Sequence, residues 1–264
     1  MTFTEHKAPS GVVYQTAPTI QARHAFTTRL GGVSSGYLAS LNLGSNRGDV
    51  QENVFENYRR LGEATGVDVY HMAFTKQVHG NTVRVVSETD VHEFGTDVPY
   101  EADGVVTNIP GLALICFTAD CVPVLLCDDK NGVIAAVHCG WRSSVADILD
   151  NAVGEMCALG ARPDTICAAV GPAISQCCFE VGGEVIEAAR SYLGGDLDGL
   201  YTTGNPGKYY LDLKGANARR LLQLGLWEEN IAVSDECTFC MHDKYWSHRY
   251  SKGVRGSQGA LIVL

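Results

Sequence analysis

The 264-residue chain has no uncharged apolar run approaching the roughly 18 residues of a membrane-spanning helix, so no membrane association is expected. Its first residues, MTFTEHKAPS, lack the basic start and apolar segment of a secretory signal, and a cytoplasmic location is expected. Basic charge is also scarce. Twenty Lys and Arg against 30 Asp and Glu leave a net charge of −10, which argues against a nucleic-acid footprint, because phosphate contacts need clustered cations. Neither GxGxxG nor GxxxxGK[ST] occurs, so nucleotide phosphates, if bound, are bound differently. No linker rich in proline, serine or charge divides the chain, and one domain over residues 1–264, acting as a monomer, is the expectation.

Hydrophobic residues are plentiful at 45%, enough for a large core. Short apolar or alternating runs bounded by turn residues read as strands: GVVYQ, HAFTT, NTVRVV, LALICF, VPVLLC, VIAAVH, TICAAV, NIAVSD and GALIVL. Helical periodicity appears in four places. Asp49 and Glu52 resemble a capping box ahead of Val50, Val54, Tyr58 and Leu61, predicting about three turns. A second helix is predicted from Ser143 or Ser144 through Leu159, a third from Gly183 to Tyr192, and a fourth from the N-cap Asp212 to Gly225. Strands outnumber helices without regular alternation, which favours an α+β domain of mixed sheet with flanking helices.

Ten cysteines in a chain without an export signal read mostly as small buried hydrophobes rather than a disulfide framework. Cys237 and Cys240 form a CxxC pair, and Cys177 and Cys178 are vicinal. Adjacent cysteines are poorly placed to chelate one ion and no second CxxC exists, so these four are read as packed thiols.

The densest chemical signal lies between Gln77 and Arg142. His79, Cys121 and His138 each close a predicted strand, where side chains converge on a shared rim. Two imidazoles and one thiolate would leave the fourth tetrahedral position of a catalytic zinc open for water. A nucleophilic Cys121 with His138 as its base fits the same residues. Arg29, Gly31, Gly32 and Ser34 join a cation to a glycine-rich, hydroxyl-bearing turn of the kind that cradles an anion, and Asn42, Arg47 and Asp49 follow nearby. The basic segment from Lys244 to Arg255 is a further source of anion-binding groups.

These motifs, with Ala102-Asp103-Gly104, Ala119-Asp120-Cys121, Gly140-Trp141-Arg142 and Gly171-Pro172, resemble the laccase-domain proteins from about residue 23 to the C-terminus. That family was first labelled multicopper polyphenol oxidase and is now described as purine nucleoside phosphorylase. Cys139 stands where it usually has alanine, Ser143 where it has glycine, and Tyr250 where it has a second arginine. The resemblance implies a laccase-domain fold, like that of cytotoxic necrotizing factor, and a zinc on His79, Cys121 and His138. It also implies phosphorolysis of adenosine, inosine and 5′-methylthioadenosine, and deamination of adenosine. Purine nucleoside and phosphate would then be the small-molecule partners, contacted by Arg29, Gly31, Gly32, Ser34, Asn42, Gln77 and Arg142, with Asp103 or Asp120 moving protons. Bacterial members are also described as peptidoglycan editing factors, for which a cysteine hydrolase is the alternative mechanism. A copper-dependent polyphenol oxidase is disfavoured by ligand arithmetic, since the eight histidines include no His-x-His pair. A third reading is a module that binds nucleosides without turnover.

Overall fold

The computed structural model describes residues 2–92 and 98–264. Two six-stranded sheets pack face to face. The first runs in the order Thr4–Lys7, Val13–Thr16, Arg23–Thr27, Gln258–Val263, Ala113–Thr118, Met72–Ala73, antiparallel except at its last pairing. The second runs Ile231–Val233, Cys167–Val170, Val122–Asp128, Val133–Cys139, Gly104–Thr107, Val83–Val85, antiparallel within and parallel at both outer pairings. A small third sheet joins Glu180–Gly182, Lys208–Leu211 and Tyr201–Thr203.

Alternation along the strands explains the layering. Leu125, Cys127, Ile134 and Ala136 of the second sheet meet Leu114, Cys116, Ala260 and Ile262 of the first in the core between them. The intervening Val124, Leu126, Ala135 and Val137 point the other way, onto helices Ile148–Ala158, Gly183–Tyr192 and Leu213–Gln223. On the outer face of the first sheet, Ala25, Ile115 and Leu261 pack on Val54, Tyr58 and Leu61 of helix Gln51–Thr65. The result is four layers, helix, sheet, sheet, helix. Every residue of Val122–Asp128 and Val133–Cys139 is buried, which is why these strands read as continuous apolar runs.

Three details differ from the sequence expectations. Helix Gln51–Thr65 spans about four turns, and Val50 is its exposed N-cap rather than part of its apolar stripe. Asp49 does not cap a deeper turn; its carboxylate accepts from Val50 N and Asn53 Nδ2. The helix predicted from Ser143 to Leu159 is two, Trp141–Val145 and Ile148–Ala158, broken at Asp147, whose φ of 67° lies in the left-handed region. The cysteines are all free thiols, but only Cys116, Cys127, Cys139 and Cys237 are fully buried. No helix of the described residues is long and apolar enough to cross a membrane.

Candidate metal and anion site

His79, Cys121 and His138 are far apart in sequence and meet at one end of the second sheet. His138 lies in strand Val133–Cys139, Cys121 immediately precedes its partner strand Val122–Asp128, and His79 sits in the turn before Val83–Val85. One ligand atom from each falls within 4.8 Å of the others, with His79 Nε2 3.7 Å from Cys121 Sγ. Zinc bonds of about 2.0–2.3 Å in tetrahedral array place donors roughly 3.3–3.8 Å apart, a spacing that the His79–Cys121 pair already has.

Asp103 organises this geometry. Its buried carboxylate accepts backbone N–H groups from Val78, His79 and Gly80 at 3.0, 2.9 and 2.8 Å, and His138 Nδ1–H at 2.7 Å. The last bond leaves His138 Nε2 free for a metal, the usual role of a carboxylate behind a ligating histidine. The first three hold the turn that carries His79, whose φ of 61° is costly for a non-glycine residue. Burial alone would raise the Asp103 carboxyl, but the bonds from His138, Val78 and Gly80 hold it below the ordinary range.

Asp120 does similar work for Cys121. Its φ is 84°, and its carboxylate accepts Thr238 Oγ1–H and Arg249 N–H, each at 2.6 Å. Both aspartates therefore have their oxygens committed to the scaffold, and neither lines the cavity beside the ligands. Gly140 completes the site by its lack of a side chain: a Cβ there would stand 2.9 Å from His79 Cδ2 and 3.4 Å from Cys121 Sγ.

The ligands also adjust each other's protons. Burial would raise the Cys121 thiol, yet the facing imidazoles of His138 and His79 draw it down to about 6. Burial would lower His138, and the Cys121 sulfur together with Asp103 raises it to about 9. Each group therefore favours the charged form of the other, which draws the sulfur towards its ligating thiolate form.

A cavity of about 300 Å³ opens over the ligands. Phe74, Phe117, Tyr58 and Leu43 give it an apolar wall, with Phe74 and Phe117 edge to face at 6.1 Å. Arg47 and Arg255 give it a cationic end. Ser257 Oγ accepts from both, from Arg47 Nε at 3.3 Å and Arg255 Nη1 at 2.9 Å. Burial lowers the Arg255 guanidinium to about 10, and the charge of Arg47 adds to the effect. Among the described residues, the buried Arg255 Nε and Thr118 Oγ1, both on cavity-lining residues, have no hydrogen-bond partner. Two converging guanidiniums with a donor to spare make a place for an anion. Metal ligands come from the second sheet. The arginines come from segments leading into helix Gln51–Thr65 and strand Gln258–Val263, on the side of the first sheet.

The expected anion turn is elsewhere. Arg29 donates to Ala39 O and His242 O and lies 4.0 Å over the Trp246 ring. A Cβ on Gly31 would fall 2.2 Å from Val12 N, and one on Gly32 2.2 Å from Ser40 O, so these glycines permit close backbone packing. Ser34 and Asn42 join Asp49 and Asn57 in a buried polar network that ties this loop to the helix. Arg142 is exposed beside Trp141. Gln77 does line the cavity, but its amide pairs with Phe117 N and O. Of the predicted substrate contacts, the structure therefore brings only Gln77 to the metal ligands. Arg255 is legible in the sequence only as part of a basic segment, Arg47 only as a neighbour of the glycine turn, and Ser257 carries no signal of its own.

Fold and site together define an α+β protein with a His₂Cys cluster that could hold a metal ion, opening into a cavity with a cationic end. The family model for the multi-copper polyphenol oxidoreductase laccase matches residues 23–264, and the chain belongs to this family. It is 35% identical to the purine nucleoside phosphorylase YlmD of Geobacillus stearothermophilus over 93% of this chain and 91% of that protein. It is 40% identical to a purine nucleoside phosphorylase of Deinococcus radiodurans, over 94% and 91%. It is also 35% identical to the adenosine deaminase RL5 of an unknown prokaryotic organism, over 88% and 90%. The crystal structure of the Geobacillus YlmD superposes with a TM-score of 0.91 at 32% identity, covering 98% of both chains.

Proposed function

We propose that this chain is a zinc-dependent purine nucleoside enzyme, which phosphorolyses adenosine, inosine or 5′-methylthioadenosine and deaminates adenosine. The observation that carries the reading is the meeting, in one cavity, of the His79, Cys121, His138 cluster with the Arg47 and Arg255 pair. The names borne by its relatives, phosphorylase and deaminase, point to the same substrate class. A zinc held there supplies Lewis acidity and lowers the pKa of water. The chain's own residues do the rest. Arg47 and Arg255, with Ser257, hold phosphate so that one oxygen faces C1′ of the nucleoside. Attack forms the C1′–O bond as the N-glycosidic bond breaks, and the base leaves with its electron pair and takes up a proton from solvent. Phe74 and Phe117 offer the flat apolar surfaces a purine needs, and a cavity of about 300 Å³ lies at the small end of ligand sites. Two histidines and a thiolate suit zinc, whereas a polynuclear copper cluster takes more histidines than the two that gather here.

The test is incubation with adenosine, with and without phosphate, separating adenine, inosine and unreacted substrate. Adenine that depends on phosphate and inosine that does not are the expected products. Both should fall together in His79→Ala, whereas Arg255→Ala should depress adenine alone. Absence of turnover with tight nucleoside binding would leave only a binding module.

A second reading has one geometric observation in its favour: Cys121, His138 and Asp103 stand in the order of a nucleophile, its base and an orienting carboxylate. That arrangement would suit a cysteine hydrolase acting on a peptidoglycan precursor. Full activity after chelation, abolished in Cys121→Ser, would favour it over the zinc enzyme.

A further inference from the structure

We infer that the chain carries a second metal site, a structural zinc held by Cys177, Cys178, Cys237 and Cys240. The four sulfur atoms all lie within 4.8 Å of one another. Cys177 Sγ is 3.5 Å from Cys178 Sγ and 3.7 Å from Cys240 Sγ, and Cys178 Sγ is 3.4 Å from Cys240 Sγ. A tetrahedral zinc with bonds of about 2.3 Å needs sulfurs roughly 3.8 Å apart. A disulfide needs about 2.05 Å, and would use only two of the four. The sequence objection to vicinal ligands is met by the backbone: the bond from Cys178 N to Ser175 O turns the chain at this pair, and both sulfurs come within reach of Cys240.

Two further observations point to a metal rather than to packed thiols. The first is the support given to Cys237. Its segment runs parallel to the chain at Ala173, Thr238 N donates to Ala173 O, and Ser175 N donates to Cys237 Sγ at 3.3 Å. Hydrogen bonds from backbone amides to sulfur are the second shell that a ligating thiolate takes. The second is Lys214, a buried ammonium that forms no salt bridge among the described residues. Its Nζ donates to Ser234 O and Glu236 O, the second of these one residue before Cys237. Four thiolates around a divalent ion leave a net charge of −2, and a buried cation alongside offsets part of it.

The site has a structural position to match. The turn from Cys237 to Cys240 carries Thr238, whose hydroxyl holds Asp120 next to Cys121. A metal there locks two loops that otherwise meet through few backbone bonds, and braces the strand end that presents a ligand of the first site.

The test is anaerobic titration of the reduced, metal-free full-length protein with Co(II), followed by zinc analysis after exchange. Wild type should take up two equivalents, with sulfur-to-cobalt charge-transfer absorption appropriate to five thiolates. Cys121→Ser should keep one equivalent and lose about one-fifth of that absorption, while Cys178→Ser and Cys240→Ser should lose about four-fifths, from the ligand count of four thiolates against one. If the latter variants do not fold, the wild-type stoichiometry and absorption decide alone. A single equivalent in wild type with one-thiolate absorption overturns the inference. So does recovery of Cys177, Cys178 or Cys240 in a disulfide from protein purified without reductant.

Discussion

Replacing Asp103 by asparagine tests the organisation of the metal site with almost no change of shape. Oδ1 accepts from His79 N and His138 Nδ1, and Oδ2 from Val78 N and Gly80 N, so each oxygen serves two donors. An amide presents one oxygen and one NH₂. Whichever way it is turned, two buried N–H groups face another donor and lose their acceptor. Hydrogen bonds to a charged group contribute about 1.5–3 kcal/mol each, so losing two predicts a destabilisation of about 3–6 kcal/mol. For a chain of this size that corresponds to a fall in Tm of roughly 6–20 °C. Metal affinity should fall about 10–100-fold, because the ring of His138 and the turn of His79 are no longer fixed. Thermal unfolding of the metal-free protein and competition with a chromophoric chelator measure the two effects separately. If Asp103→Asn melted within about 2 °C of wild type and bound zinc within about twofold, the carboxylate would not be organising the site, and the reasoning would fail.

Three further outcomes are expected. Gly140→Ala should weaken metal binding about tenfold with a small effect on Tm, because its φ of −67° suits alanine while the added Cβ presses on His79, and chelator competition reads this directly. Arg47→Ala should raise the KM for phosphate about 10–100-fold, the loss of one charge-assisted contact, whereas Arg29→Ala should lower Tm and leave that KM unchanged; steady-state kinetics at varied phosphate separate them. Asp128 is buried and accepts bonds from Asn131, Arg162 and Thr165, which outweigh burial and hold its carboxyl below 3.8. Its stabilisation is therefore present above pH 3.8 and lost as pH falls through the lower folded value, so Asp128→Asn should flatten the acid limb of a Tm against pH curve.

What could be read from the sequence follows physical lines. Strands Val122–Asp128 and Val133–Cys139 are legible because both faces are buried and the whole run must be apolar. Met72–Ala73, Gly104–Thr107 and Glu180–Gly182 are two to four residues long and too short to show a period. The break at Asp147 escaped because the apolar stripe continues on both sides of it. Residue chemistry marked His79, Cys121 and His138, and the family resemblance singled them out; only sheet topology closes the separation of 42 positions between the first two. The glycine turn at Gly31 and Gly32 had the composition of an anion cradle, but composition does not distinguish amides facing a ligand from backbone packed on Gly11 and Ser40. Arg47 and Ser257 lie 210 positions apart, and nothing local links them.

The division of the cavity between two sheets has an evolutionary consequence. Its His₂Cys end and its cationic end stand on separate frames, joined by a largely aliphatic core. Substitutions in the segments around Arg47 and Arg255 can accumulate without touching His79, Cys121 or His138, so under the proposed function each end of the cavity is free to change while the other is kept.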